Sequence, residues 1–395
     1  MAAPLRIRAR AAVVRGLFSL PKPVRRLLAG PPVRIDGQEQ ALDAQLMIRL
    51  KNLSGSDVFT DRVERARTRY EDLPLMIGYE SPVPIAALEV MIPAEHGDIP
   101  ATLYTPADLP EPSGLLVYYH GGGFSVGSRI SHEPVARFLA HHAGVRVLSV
   151  EYRRAPEHRF PAAVQDAITA FEYAHRHARE LGADPERVAV GGDSAGGNLA
   201  AVTAQQAVRR GGAVPAFQLL MYPPTDISTR RPSRDLFNQS STFTDQNLRW
   251  ALANYLPPGT DLSDPRLSPL HGEITDLPPA YIASAGFDPL RDEGEAYADK
   301  LRAGGIAVAL SRQADLPHGY LNFVGIGGRF AEAGAEAAAA LRLGLEQGHR
   351  PSGEPVNLSG LAISHMAQTF PSRTVMAVIR GDISRYPSAP GKPAV

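Results

Sequence analysis

The sequence predicts an α/β fold, a mostly parallel sheet covered by helices on both faces. Two observations carry this. First, short apolar runs at 115–119, 145–150, 187–190, 217–221, 280–283 and 308–310 alternate with stretches of helical spacing. That is the rhythm of β-α units whose strands are buried on both sides. Second, the run 187–190 passes through Gly191-Gly192-Asp193-Ser194-Ala195-Gly196-Gly197 straight into Leu199, Ala200, Ala201 and Ala204, good helix formers. A strand, a sharp glycine turn and a helix therefore follow one another without a break. Active sites in such sheets lie at the carboxyl ends of the strands.

The chain has 395 residues, enough for one large α/β domain or two smaller ones. Its apolar content of 44% and charged content of 21% are those of a globular protein. A formal net charge of zero supplies no bulk field to draw nucleic acid, so no nucleic-acid partner is expected. The absence of cysteine excludes disulfides, thiolate catalysis and cysteine-ligated zinc. No run of apolar residues is long enough for a transmembrane helix.

Residues 1–34 read as a basic N-terminal extension. No acid precedes Asp36, while Arg6, Arg8, Arg10, Arg15, Lys22, Arg25, Arg26 and Arg34 do. Arg15 interrupts the short apolar run 11–14, which makes a poor signal-peptide core, and the expected location is cytoplasmic. Val13, Val14, Leu17, Leu20, Val24, Leu27 and Leu28 recur among these bases at roughly helical spacing. Two readings fit residues 4–30: an interfacial helix making peripheral contact with anionic membrane, or a basic arm lying on the protein or disordered.

From 35 to 75, Leu42, Leu46, Met47 and Leu50, then Val63, Ala66 and Tyr70, predict two helices packed on something larger. Runs at 87–92 and 99–104 predict an edge hairpin. Val164, Ile168, Phe171, Ala174, Ala178 and Leu181 form one helical stripe. Between Pro223 and Pro279 the alternation lapses. This insert holds Phe237, Phe243, Leu248, Trp250, Tyr255 and Leu256 and is expected, with residues 35–80, to cap the site. The catalytic domain ends with an alanine-rich helix near 330–346. Residues 347–395 turn to Pro, Ser and Gly and are expected to be a largely disordered tail, with a strand signal at 373–380.

Gly192-Asp-Ser194-Ala-Gly196 matches the G-x-S-x-G pattern in the strand-turn-helix context that a nucleophilic serine needs. The following helix aims its amide N–H groups at the point where an oxyanion would form. Gly123-Phe-Ser125-Val-Gly127 matches the same pattern, but the helical signal resumes only near Glu133, so Ser125 is rejected. The serine needs a base, and the base needs an acid to fix its tautomer. In this class the chain order is serine, acid, histidine. Among the histidines after Ser194, His271 precedes the acid candidate, and His349 and His365 lie at or past the domain's edge. His318, on the loop after the run 308–310, remains. Asp288, directly after the run 280–283, is the acid; Asp292 and Glu293 are expected to open the next helix. His120-Gly-Gly-Gly-Phe124 follows the run ending at Tyr119, so the amides of Gly121 and Gly122, with that of Ala195, are expected to bind the oxyanion.

Together, His120-Gly-Gly-Gly-Phe124, Tyr152-Arg-Arg-Ala-Pro-Glu-His158, Gly191-Gly-Asp-Ser194-Ala-Gly-Gly197, Asp288-Pro-Leu-Arg-Asp-Glu293 and His318-Gly resemble the hormone-sensitive-lipase-like α/β-hydrolases, bacterial carboxylesterases of the Gly-Asp-Ser-Ala-Gly type. The likeness covers about 35–346, which implies that the catalytic core does not need residues 1–30. It implies an α/β-hydrolase core, a helical cap formed by about 35–80 and 223–279, no metal, no organic cofactor, and a small-molecule ester of short to medium acyl length as substrate. The same residues would serve an amidase or deacetylase. A ligand-binding receptor on this fold would be expected to lack one of Ser194, Asp288 and His318, and all three are present.

Overall fold

In the computed structural model, residues 5–54, 59, 62–238 and 242–347 are described. The chain opens with two helices, α1 (Leu5–Ser19) and α2 (Lys22–Ala29), then a two-residue ladder, β1 (Arg34–Ile35) against β2 (Gln38–Glu39). Helices α3 (Leu42–Ser54) and α4 (Val63–Ile77) follow, as the apolar spacing of 42–75 predicts. The first two helices do not stand off the body: α1 packs along α4, and α2 along α3. Arg15 pairs with Glu80, Arg25 with Asp43, and Arg26 donates to Gln45 at 3.0 Å. The tail beyond 347, including 373–380, His349 and His365, lies outside the described residues.

The main sheet has eight strands: β3 (Ile85–Ile92), β4 (Ile99–Pro106), β5 (Ser113–Tyr119), β6 (Arg146–Val150), β7 (Ala183–Asp193), β8 (Gln218–Met221), β9 (Ala280–Phe287) and β10 (Val308–Pro317). Their order is β10-β9-β8-β7-β5-β6-β4-β3. Only β4 runs against the rest, pairing antiparallel with both β3 and β6. The edge hairpin expected at 87–104 is β3–β4. Strands β9 and β10 extend past their apolar runs because their backbones keep pairing through Ser311↔Ala283 and Arg312↔Ser284, where the side chains are small or polar.

Helices α5 (Glu133–Ala143), α6 (Ala162–Arg176), α7 (Ala195–Arg209), α10 (Arg291–Ala303) and α11 (Gly328–Gln347) cover the sheet. The alternation along β5 shows how. Leu115, Val117 and Tyr119 point into a core shared with α6, α7 and α10, while Leu116 and Tyr118 point into a second core shared with α5 and α11. All five are fully buried, so the strand carries no polar face. The insert supplies α8 (Ser233–Leu236) and α9 (Asp245–Tyr255); Thr244 begins α9 with a capping box to Asn247. The Asn198 amide on α7 donates to Pro224 O at 2.8 Å and Leu267 O at 2.9 Å, fastening both ends of the insert to the nucleophile's helix.

Candidate active site

The site assembles at the carboxyl ends of β5, β7, β9 and β10. Ser194 is the residue between β7 and α7, with φ 53° and ψ −119°, a strained conformation for a residue with a side chain. Its N–H donates to Met221 O at 2.8 Å, and its carbonyl accepts the Asn198 N–H at 3.0 Å. The two flanking glycines are required by close approach. A Cβ on Gly196 would lie 1.8 Å from Tyr119 O, and one on Gly192 would lie 2.3 Å from the same atom. The register sets this contact, since Tyr119 pairs directly with Gly192 across β5–β7. The serine turn is thereby pressed against the end of β5, where the turn starting at His120 begins.

His318 follows β10 at once, and Asp288 follows β9 at once. His318 Nε2 lies 2.9 Å from Ser194 Oγ, and His318 Nδ1 lies 2.7 Å from Asp288 Oδ2. The second carboxylate oxygen of Asp288 accepts the Leu290 N–H at 2.8 Å. Asp288 is fully buried, His318 is 5% exposed and Ser194 is 9% exposed. Tyr222 and Phe243 each stand with ring centroids 4.8 Å from the His318 ring, and Thr242 Oγ1 donates to His318 O. The three residues expected from chain order are thus in hydrogen-bond reach of one another. Of the competing histidines, His271 lies beside Asp226 and Ser228 in the insert. Ser125 is buried, and its carbonyl, not its hydroxyl, is the engaged group. Asp292 and Glu293 lie in the first turn of α10, as expected.

The glycine turn departs from expectation at one residue. The Gly121 N–H does not face the serine; it donates to Asp193 Oδ1 at 2.8 Å. Asp193, buried directly before Ser194, also accepts the Tyr118 phenol at 2.6 Å and lies 3.5 Å from His132 Nε2. Burial works to raise its pKa, but His132, the Tyr118 phenol and the Gly121 N–H outweigh that and hold the carboxyl below its usual range. A Cβ on Gly121 would lie 2.5 Å from Asp193 Oδ2, so the carboxylate itself requires glycine here. His120 points its Nδ1 at Gly121 O (2.8 Å); burial pushes its pKa well below the usual value, so it sits neutral under the turn. Past Gly121 the backbone turns through Gly122 (φ 118°) and Gly123 (φ 57°), and Ala251 of α9 fills the space a Cβ on Gly123 would take.

Aromatic residues close the site from above. Phe59, near the start of α4, meets Phe243 at 5.3 Å, Trp250 at 5.8 Å and Tyr70 at 6.5 Å between ring centroids. Phe124 of the glycine turn stacks on Tyr255 of α9 at 3.9 Å. Phe243, Trp250 and Tyr255 are conspicuous in the sequence as aromatics of the insert, but their destinations are not. Asp193 stands in the Gly-Asp-Ser-Ala-Gly motif, but nothing in the sequence shows that it grips the glycine turn, and Arg67 carries no sequence signal that separates it from other charged residues. Among the described residues, no group of acids and histidines is arranged to hold a metal ion.

A family profile described as an α/β hydrolase fold matches residues 116–322. The chain is 42% identical over 343 residues to carboxylic ester hydrolase LipN of Mycobacterium tuberculosis, covering 85% of this chain and 91% of that protein. It is 38% identical to ethyl acetate hydrolase of Pseudomonas putida, covering 65% of this chain and 83% of that protein. The structure of a hyperthermophilic esterase from Pyrobaculum calidifontis superposes with a TM-score of 0.71 at 36% identity, covering 75% of this chain and 96% of that one.

Proposed function

Because the chain belongs to the hormone-sensitive-lipase-like carboxylesterases of the α/β-hydrolase fold, we propose that it is a serine carboxylic ester hydrolase that cleaves short- to medium-chain acyl esters through an acyl-enzyme. The observation that carries the mechanism is the unbroken relay Asp288–His318–Ser194, at 2.7 and 2.9 Å, on a serine held at positive φ. Ser194 Oγ attacks the ester carbonyl while His318 Nε2 takes its proton. The tetrahedral intermediate collapses, the C–O bond to the alcohol breaks, and His318 returns the proton to the leaving alkoxide. Water, activated by the same imidazole, then releases the acid from Ser194. Asp288 fixes the tautomer that leaves Nε2 free to accept, and it stabilises the imidazolium that forms. For the oxyanion we assign the amides of Gly122, Gly123 and Ala195. The Gly121 N–H, engaged by Asp193, acts as the anchor of that turn and not as a donor to substrate.

The aromatic cluster Phe59, Phe243 and Trp250 supports a small ester, because Phe243 stands against His318 and is backed by Phe59, which in turn meets Trp250. Hydrolysis of p-nitrophenyl esters of increasing chain length tests this: rates should peak at short to medium acyl groups. Ser194→Ala should remove about three or more decades of kcat, and Ser125→Ala should leave most of it. Labelling of Ser125 by an organophosphonate would sink the assignment.

Peripheral contact with anionic membrane through residues 4–30 is a further proposal. It is supported by the exposure of Val13, Val24, Leu27 and Leu28 on α1 and α2. No helix among the described residues is long and apolar enough to cross a membrane.

A further inference from the structure

We propose that Arg67 is a positioning residue for this hydrolysis, holding the oxyanion turn in place from the N-terminal segment; the proposal rests on the ester-hydrolase reading above. Arg67 lies on α4, far in sequence from everything it touches. Its Nε–H donates to Ser125 O at 2.9 Å and its Nη2 to Ala155 O at 2.9 Å. The same guanidinium meets Glu157 with two bonds, at 2.9 and 2.7 Å. One planar fork thus ties α4 to the turn after β5 and to the loop after β6. Only a guanidinium presents donors in that spread; an ammonium is a point charge.

A turn through three glycines has many conformations open to it; it closes on itself where Gly122 O accepts the Ser125 and Val126 N–H groups, and the rest of its shape comes from what grips it. The inner end is gripped by Asp193 through the Gly121 N–H. The outer end depends on carbonyls: Phe124 O accepts the Ala155 N–H at 2.9 Å, Gly127 O accepts Arg154, and Ser125 O accepts Arg67. Arg67 is the one of these donors that comes from the N-terminal segment. One turn along α4, the Tyr70 ring stacks on His132 at 5.8 Å, and His132 in turn lies 5.4 Å from His120, whose ring underlies the start of the turn. The same face of α4 therefore bears on both ends of the segment that must aim the Gly122 and Gly123 amides. The hydrogen bonds from Arg67 also hold the Glu157 carboxyl below its usual range, which keeps the pair charged on both sides. Displacement of a reacting group by about 1 Å costs on the order of 100-fold in rate, and loss of one oxyanion donor costs about 100- to 1,000-fold. A turn loosened at one end falls short of either extreme.

The test measures four quantities on the full chain carrying Arg67→Ala, Arg67→Lys or Glu157→Gln. They are kcat and KM for p-nitrophenyl acetate, the inhibition constant of a trifluoromethyl ketone, and the melting temperature. The ketone adds to the serine and places its oxyanion where the intermediate's would be. Arg67→Ala should lower kcat about 10- to 100-fold with KM within about threefold, and weaken the ketone by a similar factor. Arg67→Lys should recover little of either, and Glu157→Gln should lose less than Arg67→Ala. A fall in melting temperature with parent kcat and parent ketone affinity would mean a purely structural role and would overturn the proposal. If Arg67→Ala does not fold, Arg67→Lys decides by the same criteria. A parent that binds the ketone no better than Ser194→Ala removes the hydrolase reading, and the positioning role falls with it. A parent that binds tightly while the Arg67 variants bind equally well removes the positioning role alone.

Discussion

Asp193 stands one residue before the proposed nucleophile, yet its side chain points away from the chemistry. It is an anion buried between the Tyr118 phenol, the Gly121 N–H and His132. Its pKa lies below the usual carboxylate range, so at neutral pH the charge is present and must be balanced in place. Asp193→Asn keeps the shape and an acceptor for Gly121 but removes the charge that faces His132. The expected result is a loss of about 10-fold in kcat with KM little changed, because the anchor of the oxyanion turn weakens while the pocket stays. Steady-state kinetics check this, and an unchanged kcat would reduce Asp193 to a packing residue. The same residue shows why Gly121 could not be singled out from the sequence. Three consecutive glycines are equivalent in a string of letters. Which amide faces the serine is decided by a carboxylate from β7, 72 residues further on.

At the scale of elements, the strand ends that carry the proposed triad were legible because Ser194 and Asp288 stand just past apolar runs and His318 on the loop after another, and a parallel sheet puts those ends on one rim. The insert was legible as an interruption only. Its α9 has a capping box, but nothing local says that Ala251 will meet Gly123 or that Tyr255 will stack on Phe124. Another non-local joint links α8 to α10. Glu293 is fully buried and accepts from Arg234 Nη2 at 3.2 Å and from the Thr225 N–H at 3.1 Å. Burial pushes its pKa up to about 8, against the pull of Arg234, from an ordinary 4.5. A group whose pKa is raised on folding contributes stability that is whole below the unfolded value and lost as pH rises through the folded one. This glutamate therefore makes the fold less stable from about pH 4.5 to about pH 8. Glu293→Gln, which cannot ionise, should flatten that part of the stability curve, so that its melting temperature gains on the parent's by several degrees between pH 5 and pH 8. Parallel curves for the two proteins would show that Glu293 folds in its charged form.

At the scale of the whole molecule, the N-terminal helices pack on the body and still present a face to solvent. The sequence shows a run of bases without an acid and invites the image of a detachable, positively charged arm. Folding changes that inventory. Arg25 meets Asp43, Arg15 meets Glu80 and Arg26 meets Gln45, so three of those bases are engaged by the body of the protein. The Gln45 amide in turn caps Ala29 O at 2.9 Å and Pro31 O at 2.6 Å, which makes α2 part of the shell around α3. Deleting 1–30 would strip α3 and α4 of their cover, and α4 carries Arg67, so a deletion confounds binding with catalysis. Past Lys22 at its start, α2 leaves an apolar stripe to solvent: Val24, Leu27 and Leu28, at i, i+3 and i+4, are 40%, 80% and 38% exposed. The proposed membrane contact draws more on burial of these side chains and less on charge than the composition suggests, since each free base near an anionic surface is worth only about 1 kcal/mol. Full-length protein should sediment with phosphatidylserine vesicles at low salt and keep part of that binding at high salt, where charge attraction is screened. The double substitution Val24→Ser and Leu27→Ser should abolish sedimentation and leave p-nitrophenyl acetate hydrolysis unchanged, because both side chains are exposed on α2. If the parent ignores such vesicles at low salt, these residues are an ordinary exposed helix face and the membrane reading is lost.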